Sequence, residues 1–421
     1  MELSEVLRLL SRPRGPDLCG ELVLALLQAP KSGNAETREA ILQLLYFLGD
    51  EEQGEVQALE EEKREVEDPG PPLPGSRWAL MRCIAAPVYV FARTHRQEEE
   101  VMSALLRALG RGSEAELLQG PEGIFRAVMG VLKPELSKDT WDKNPTTKDV
   151  FSWALQQITR PWLCDHLDSI LPPSLLMSDD YRTENKILGV SCLHHIILNV
   201  PAADLCQCNR AQVVFHALNH HLYTPDADLI QAVLPCLLDL LPVLEKQPVV
   251  MGEPMQSNRC DDLLQLILMH MEMESRILLR RVYARNLPAL VNRLGIRIVG
   301  HLKRLTRVTV QYLEVYDGPE EAARLAMLEV LQCTIRQAWP RMSCRLGLLL
   351  KALLRLMYDV STDCTLTPEP VKAALLQEAT QSLLLLDRCC QRQVKVLLAG
   401  VYSSCMDNKL LECIEKVQQD S

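Results

Sequence analysis

A helical periodicity runs from Trp78 to the C-terminus, and it constrains this chain more than any other feature. Leu recurs at three- and four-residue spacing in almost every window. The pattern breaks at Gly120-Pro121, Lys143-Asn144-Pro145, Pro172-Pro173, Pro201, Pro225, Pro248 to Pro254, Gly318-Pro319 and Pro368 to Pro370. Breaks at such intervals suit paired helices. Apolar side chains make up 48% of the 421 residues and aromatics only 5%, a balance that favours helix over sheet. The length exceeds one compact bundle, so either two domains or an elongated array is expected.

Regular interruptions in a long helical chain suggest a solenoid, in which each helix pair buries its apolar stripe against the next. HEAT-type units carry a small residue where two helices approach closely, often after a basic residue. Lys186, Gly189 and Leu193 fit that template. Arg281 and Ala284 begin a second match that meets Pro288, Arg324 leads to Met327 and Leu331, and Ala232 and Ala379 mark two looser ones. The expectation is an all-α fold, a HEAT-like or armadillo-type α-solenoid of antiparallel helix pairs. Helix starts are expected at three turns. Thr224 would cap after Tyr223 with Pro225 in the first turn, Asp317-Gly318-Pro319-Glu320-Glu321 would set carboxylates against a helix dipole, and Thr367-Pro368-Glu369 would repeat the logic.

Three segments are expected. Residues 1–49 read as a helical N-terminal piece, 50–77 as an acidic, Pro/Gly-rich disordered linker, and 78–421 as the repeat domain. Between Asp50 and Asp68, ten carboxylates face only Lys63 and Arg64, which accounts for most of the formal net charge of -10. A surplus of acid argues against nucleic acid as the main partner. Fifteen cysteines, an odd number often set inside apolar runs, fit a reducing compartment. Met1 to Leu10 lacks the basic flank and long apolar stretch of a signal peptide. Leu346 to Met357, read as the most apolar later stretch, is interrupted by Lys351 and Arg355, and no membrane span is expected.

Catalytic signatures are weak. His194, His195, Cys206, Cys208, His216, His220 and His221 carry metal-binding atoms, but their spacing matches no zinc finger. There is neither G-x-x-x-x-G-K-[ST] nor G-x-G-x-x-G, and no nucleophile sits in a Gly-flanked turn. Cys389 and Cys390 read as core and flank. No cofactor, metal or catalytic residue is expected.

The most informative charge feature is the stretch from Arg276 to Leu313, which has no carboxylate. It carries Arg276, Arg280, Arg281, Arg285, Arg293, Arg297, Lys303, Arg304 and Arg307. Two readings stand open. The arginines form a ridge for an acidic partner, with Asp317, Glu320 and Glu321 beside it, or they form an internal ladder to carboxylates such as Asp261, Asp262, Glu272 or Glu314. Nucleic-acid or cargo binding through residues 276–307 is a further alternative, with Tyr283 and Tyr312 alone available for stacking.

Several segments resemble one family. They are Val150-Phe151-Ser152-Trp153, Thr159-Arg160-Pro161-Trp162-Leu163, Asp179-Asp180-Tyr181, Thr183 to Val190 and Cys192-Leu193-His194-His195, followed by Arg280 to Pro288 and Tyr312 to Glu321. This is similar to the TELO-two-interacting protein two family, over roughly Trp78 to the C-terminus, while Met1 to Gly75 differs from the family pattern. The resemblance implies a non-enzymatic, HEAT-like subunit of the Triple-T co-chaperone complex. Its implied partners are the TELO-two-interacting protein one and telomere-maintenance-two subunits. With the heat-shock protein ninety machinery it would mature phosphatidylinositol-3-kinase-related kinases (mTOR, ATM, ATR, DNA-PK), touched indirectly, in cytoplasm and nucleus.

Overall fold

The computed structural model describes residues 35–49, 77–94, 99–141, 143–245, 259–362, 367–403 and 407–419. The expected linker 50–77 lies outside the described residues except for residue 77, and the N-terminal segment is described only from residue 35. The described residues are all helical, with no strand among them, and they fall into two compact units, 1–205 and 206–421.

In the first unit the helices are α1 (Ala35–Gly49), α2 (Arg77–Thr94), α3 (Glu99–Ala108), α4 (Glu114–Leu118), α5 (Phe125–Leu132), α6 (Pro145–Gln156), α7 (Leu167–Ser178) and α8 (Thr183–Asn199). The short α9 (Ala202–Cys206) lies at the boundary. α2 packs on α1, α3, α5 and α6, while α7 and α8 form the tightest pair. That tightness has a sequence cause. Gly189 of α8 lies so close to α7 that a Cβ there would meet the Ser178 backbone nitrogen at 2.3 Å, so the expected small-residue contact is real at this position. α4 starts with a reciprocal cap. Ser113 Oγ accepts from the Glu116 N–H at 3.3 Å, and the Glu116 carboxylate accepts from the Gly112 N–H at 2.8 Å.

The second unit holds α10 (Arg210–His221), α11 (Ala227–Glu245), α12 (Arg259–Met273), α13 (Ile277–Leu294), α14 (Leu302–Leu313), α15 (Ala322–Ala338), α16 (Leu346–Thr362), α17 (Glu369–Cys389), α18 (Gln393–Tyr402) and α19 (Asn408–Gln419). Its helices stack in two rows. α11, α13, α15 and α17 pack one on the next, and α12, α14, α16 and α19 do the same. Sequential partners α10–α11, α12–α13, α14–α15 and α16–α17 join the rows. Ala232, Ala284, Met327 and Ala379 fall on the successive helices of the first row. α14 shows how patterning builds a row: Leu302, Leu305, Val308, Thr309 and Tyr312 are buried, and Lys303, Arg307 and Gln311 face water.

Two of the three expected helix starts differ in detail. Asp226, not Thr224, caps α11, its Oδ1 accepting from the Leu229 N–H at 2.9 Å. A carboxylate two residues nearer the helix is the better acceptor for the exposed N–H groups of the first turn. Thr367 makes no cap to α17, for its buried hydroxyl has no hydrogen-bond partner. The longest apolar helix is also not the one expected: α11 rather than α16 is long and apolar enough to cross a bilayer by length and composition. Its Leu229, Ile230, Val233, Leu237, Leu240 and Leu241 are buried, and it packs on α10 and α13.

Candidate partner-binding surface

The arginine-rich stretch occupies α13, the 3-10 segment Gly295–His301 and α14. Without carboxylates of its own it must find them elsewhere, and the fold brings most of them from adjacent helices. Arg293 pairs with Glu245 of α11 at 2.6 Å. Arg297 and His301 share Asp261 at the start of α12, the histidine Nε2 lying 3.0 Å from Oδ1. Arg304, at 2.9 Å, and Arg307 both donate to Glu272 near the end of α12. Hydrogen bonds from Arg304 and Arg307 hold the Glu272 carboxyl below the usual carboxylate range, against a smaller opposing effect of burial.

Arg276 is clamped on Glu274, two residues before it, and reaches the Pro225 carbonyl at 3.1 Å. Arg280 lies over the Tyr312 ring, 3.8 Å from its centroid, an arrangement that leaves the guanidinium edge for the Glu274 carbonyl. Burial raises the Tyr312 phenol against the opposing charge of Arg280, and the Tyr283 phenol is pushed up to about 12 for the same first cause. Arg285 and Lys303 are exposed, and no hydrogen bond or ion pair is seen for either among the described residues.

Arg281 is the hub of the turn at 317–321. Its Nε donates to Asp317 Oδ2 at 3.0 Å, its Nη1 to Glu320 at 2.6 Å and its Nη2 to the Asp317 carbonyl. The same Asp317 oxygen accepts from the Ala323 N–H at 2.7 Å, so one buried carboxylate caps α15 and neutralises Arg281. Gly318 turns here with φ +88°, and a Cβ in its place would meet Arg281 Nη2 at 3.3 Å. Glu321 sits in the left-handed region at φ 50° and its carboxylate faces Arg324 at 3.2 Å, both side chains being almost fully buried.

Exposure sorts the candidates. The Arg276, Arg297, Arg307 and Glu320 side chains remain 55%, 50%, 61% and 72% accessible, while Asp317 and Glu321 are buried. Of the four carboxylates named as ladder rungs, Asp261 and Glu272 serve the stretch. Glu314 pairs instead with Arg355 of α16 at 3.2 Å. Glu245 was missed because nothing in the sequence marks which helix lies alongside, and Glu274, two residues before Arg276, was missed as a local partner. Also missed were Met273, Ile277 and Leu278, exposed beside Arg276 at the α12–α13 turn. Glu274-Ser275-Arg276 separates Met273 from Ile277 and Leu278, so no continuous apolar run marks them in the sequence.

Several of the metal-type residues are engaged locally. His195 Nε2 lies 2.7 Å from the Ile158 carbonyl, Cys206 donates to the Val243 carbonyl, and the His216 ring rests on Phe215. No group of three or more His, Cys, Asp or Glu is placed to hold a metal among the described residues. Burial pushes the thiols of Cys192 and Cys260 up to about 11, so neither is a thiolate nucleophile at neutral pH.

Comparison with known proteins decides the family. The Tti2 family model matches residues 107–319, a span that runs from the end of α3 through the whole arginine-rich stretch to the 317–321 turn. This chain belongs to the Tti2 family. It is 57% identical over 367 residues to the human protein named TELO2-interacting protein 2, covering 83% of this chain and 72% of that protein. Against the Rattus norvegicus and Mus musculus proteins of the same name, identity is 55% over 80% and 81% of this chain.

Proposed function

We propose that this chain is a non-enzymatic scaffold subunit of the Triple-T co-chaperone complex, the assembly that its family resemblance implies. The observation that carries the reading is its likeness, over most of the chain, to proteins named for interacting with TELO2. The stacked helix pairs of the second unit support it, since such stacking suits a HEAT-like α-solenoid whose residues 78–421 act as a repeat domain with a long free surface. On this reading the exposed members of the charged run meet the partner subunits. These are Arg276, Arg285, Arg297, Arg307 and Glu320, with Met273, Ile277 and Leu278 beside them. Arg280, Arg281, Arg293, Arg304, Asp317 and Glu321 shape the surface from beneath. The partners are the TELO-two-interacting protein one and telomere-maintenance-two subunits. The clients are the phosphatidylinositol-3-kinase-related kinases, reached indirectly, in cytoplasm and nucleus.

Depletion with rescue tests the reading. Loss of this protein lowers the steady-state levels of mTOR, ATM, ATR and DNA-PK without lowering their transcripts, and re-expression restores them. Unchanged kinase levels after full depletion contradict it. A salt titration of the purified chain against RNA and DNA addresses the nucleic-acid alternative. Steep, salt-sensitive binding near physiological ionic strength would favour that alternative.

A further inference from the structure

The first unit contains a cleft of about 530 Å³ between α5 and the Trp162–His166 segment leading into α7. Its floor is apolar, made by Met129, Leu136 and Pro173. Its two rims carry opposite charge. Arg126 and Lys133, seven residues apart and so on one helical face, line the α5 side. Asp165 and Asp168 line the other side. All four charged residues are exposed.

Gly130 lies on the same α5 face, four residues after Arg126. Glycine inside a helix is unfavourable relative to alanine. Here no packing in the chain requires it, because a Cβ at 130 would meet nothing within 4 Å. The effect is a notch in the α5 wall, at which another backbone can come close. On the opposite wall Pro173 has no N–H for the carbonyl of Ser169, so the helix ladder does not use that acceptor.

A small-molecule site needs convergent buried polar atoms. None of the buried side-chain polar atoms without partners among the described residues belongs to the cleft. Apolar floor, notch and oppositely charged rims match a helix laid lengthwise. We propose that this cleft docks an amphipathic helix of a protein partner. Its ridge of small and aliphatic residues sits over Gly130, its acidic edge faces Arg126 and Lys133, and its basic edge faces Asp165 and Asp168. The proposal rests on the reading of this chain as a complex subunit, and it names a surface outside the arginine-rich stretch.

The test uses the complex co-purified with the two partner subunits. Gly130→Leu fills the notch with a better helix former whose Cβ meets nothing in the chain, so its helix content and melting temperature are expected to stay at or above those of the starting protein. Its affinity for the partner subunits falls at least about tenfold, a shift in free energy of about 1.4 kcal/mol. The double variant Arg126→Glu/Lys133→Glu weakens binding to a similar degree. A photo-reactive lysine analogue at Lys133 cross-links to a helical segment of a partner subunit that carries carboxylates beside the attachment point. Unchanged affinity for Gly130→Leu in a complex that assembles overturns the docking proposal and leaves the proposed function standing. So does a cross-link confined to this chain's own residues. Failure of the unmodified chain to assemble refutes the proposed function instead.

Discussion

Gly130 and Gly189 predict opposite outcomes for an added side chain: at Gly130 a Cβ meets nothing within 4 Å. At Gly189 a new Cβ meets the Ser178 backbone at 2.3 Å, and backbone cannot rotate away, so α7 and α8 must part. Gly189→Ala is expected to lower stability by about 1–3 kcal/mol, the usual cost of overpacking. Thermal unfolding measures it, and an unchanged melting temperature contradicts the close approach. The arginines divide in the same way. Arg281 neutralises the buried Asp317 and holds the turn before α15. Arg281→Ala leaves that carboxylate with only the Ala323 N–H, at an expected loss of about 2–4 kcal/mol in denaturant unfolding. Arg285→Ala should stay within about 0.5 kcal/mol, as surface changes do. Equal effects at the two positions would refute the division into buried hub and exposed rim.

At the scale of elements, the start of α11 sets Asp226 in the capping place expected of Thr224. Asp226→Ala should cost about 1 kcal/mol and Thr224→Ala much less, measured by chemical denaturation; the reverse order would restore Thr224 as the cap. The tie between α14 and α12 is acid-labile. Glu272 is held below its ordinary value chiefly by the Arg304 hydrogen bond, so the folded state binds fewer protons there than the unfolded one. Its stabilising contribution is therefore full above about pH 4.3, the unfolded carboxylate value, and is lost as pH falls through the lower folded value. Glu272→Gln should flatten that part of the stability–pH curve, and a curve of unchanged slope rules the clamp out. Much of this level was legible in advance. Periodicity and most of the Pro and Gly breaks gave helix class along the chain, although Pro172-Pro173, expected as a break, lies inside α7; Gly189 gave a close contact, because both signals depend on residues near in sequence. The partners of Arg293, Arg304 and Arg307 were not all legible, for Glu245 and Glu272 reach them across 48, 32 and 35 residues. That pairing depends on which helices stack, and a charge count cannot see it.

At the scale of the whole molecule, the proposed scaffold role draws on the stacked helix pairs of the second unit and on the arginine ladder that ties them. The run of cations was the most informative charge feature of the sequence and also an ambiguous one, since a ladder and a binding ridge call for the same residues. Coordinates place most of its carboxylates inside the second unit and leave a smaller set of exposed groups for a partner. Light scattering coupled to size-exclusion chromatography tests the account most directly, with the purified chain mixed with the TELO-two-interacting protein one and telomere-maintenance-two subunits. The account predicts a single species whose mass is that of one copy of each. A chain that elutes alone at its monomer mass, across micromolar concentrations of both partners, contradicts it.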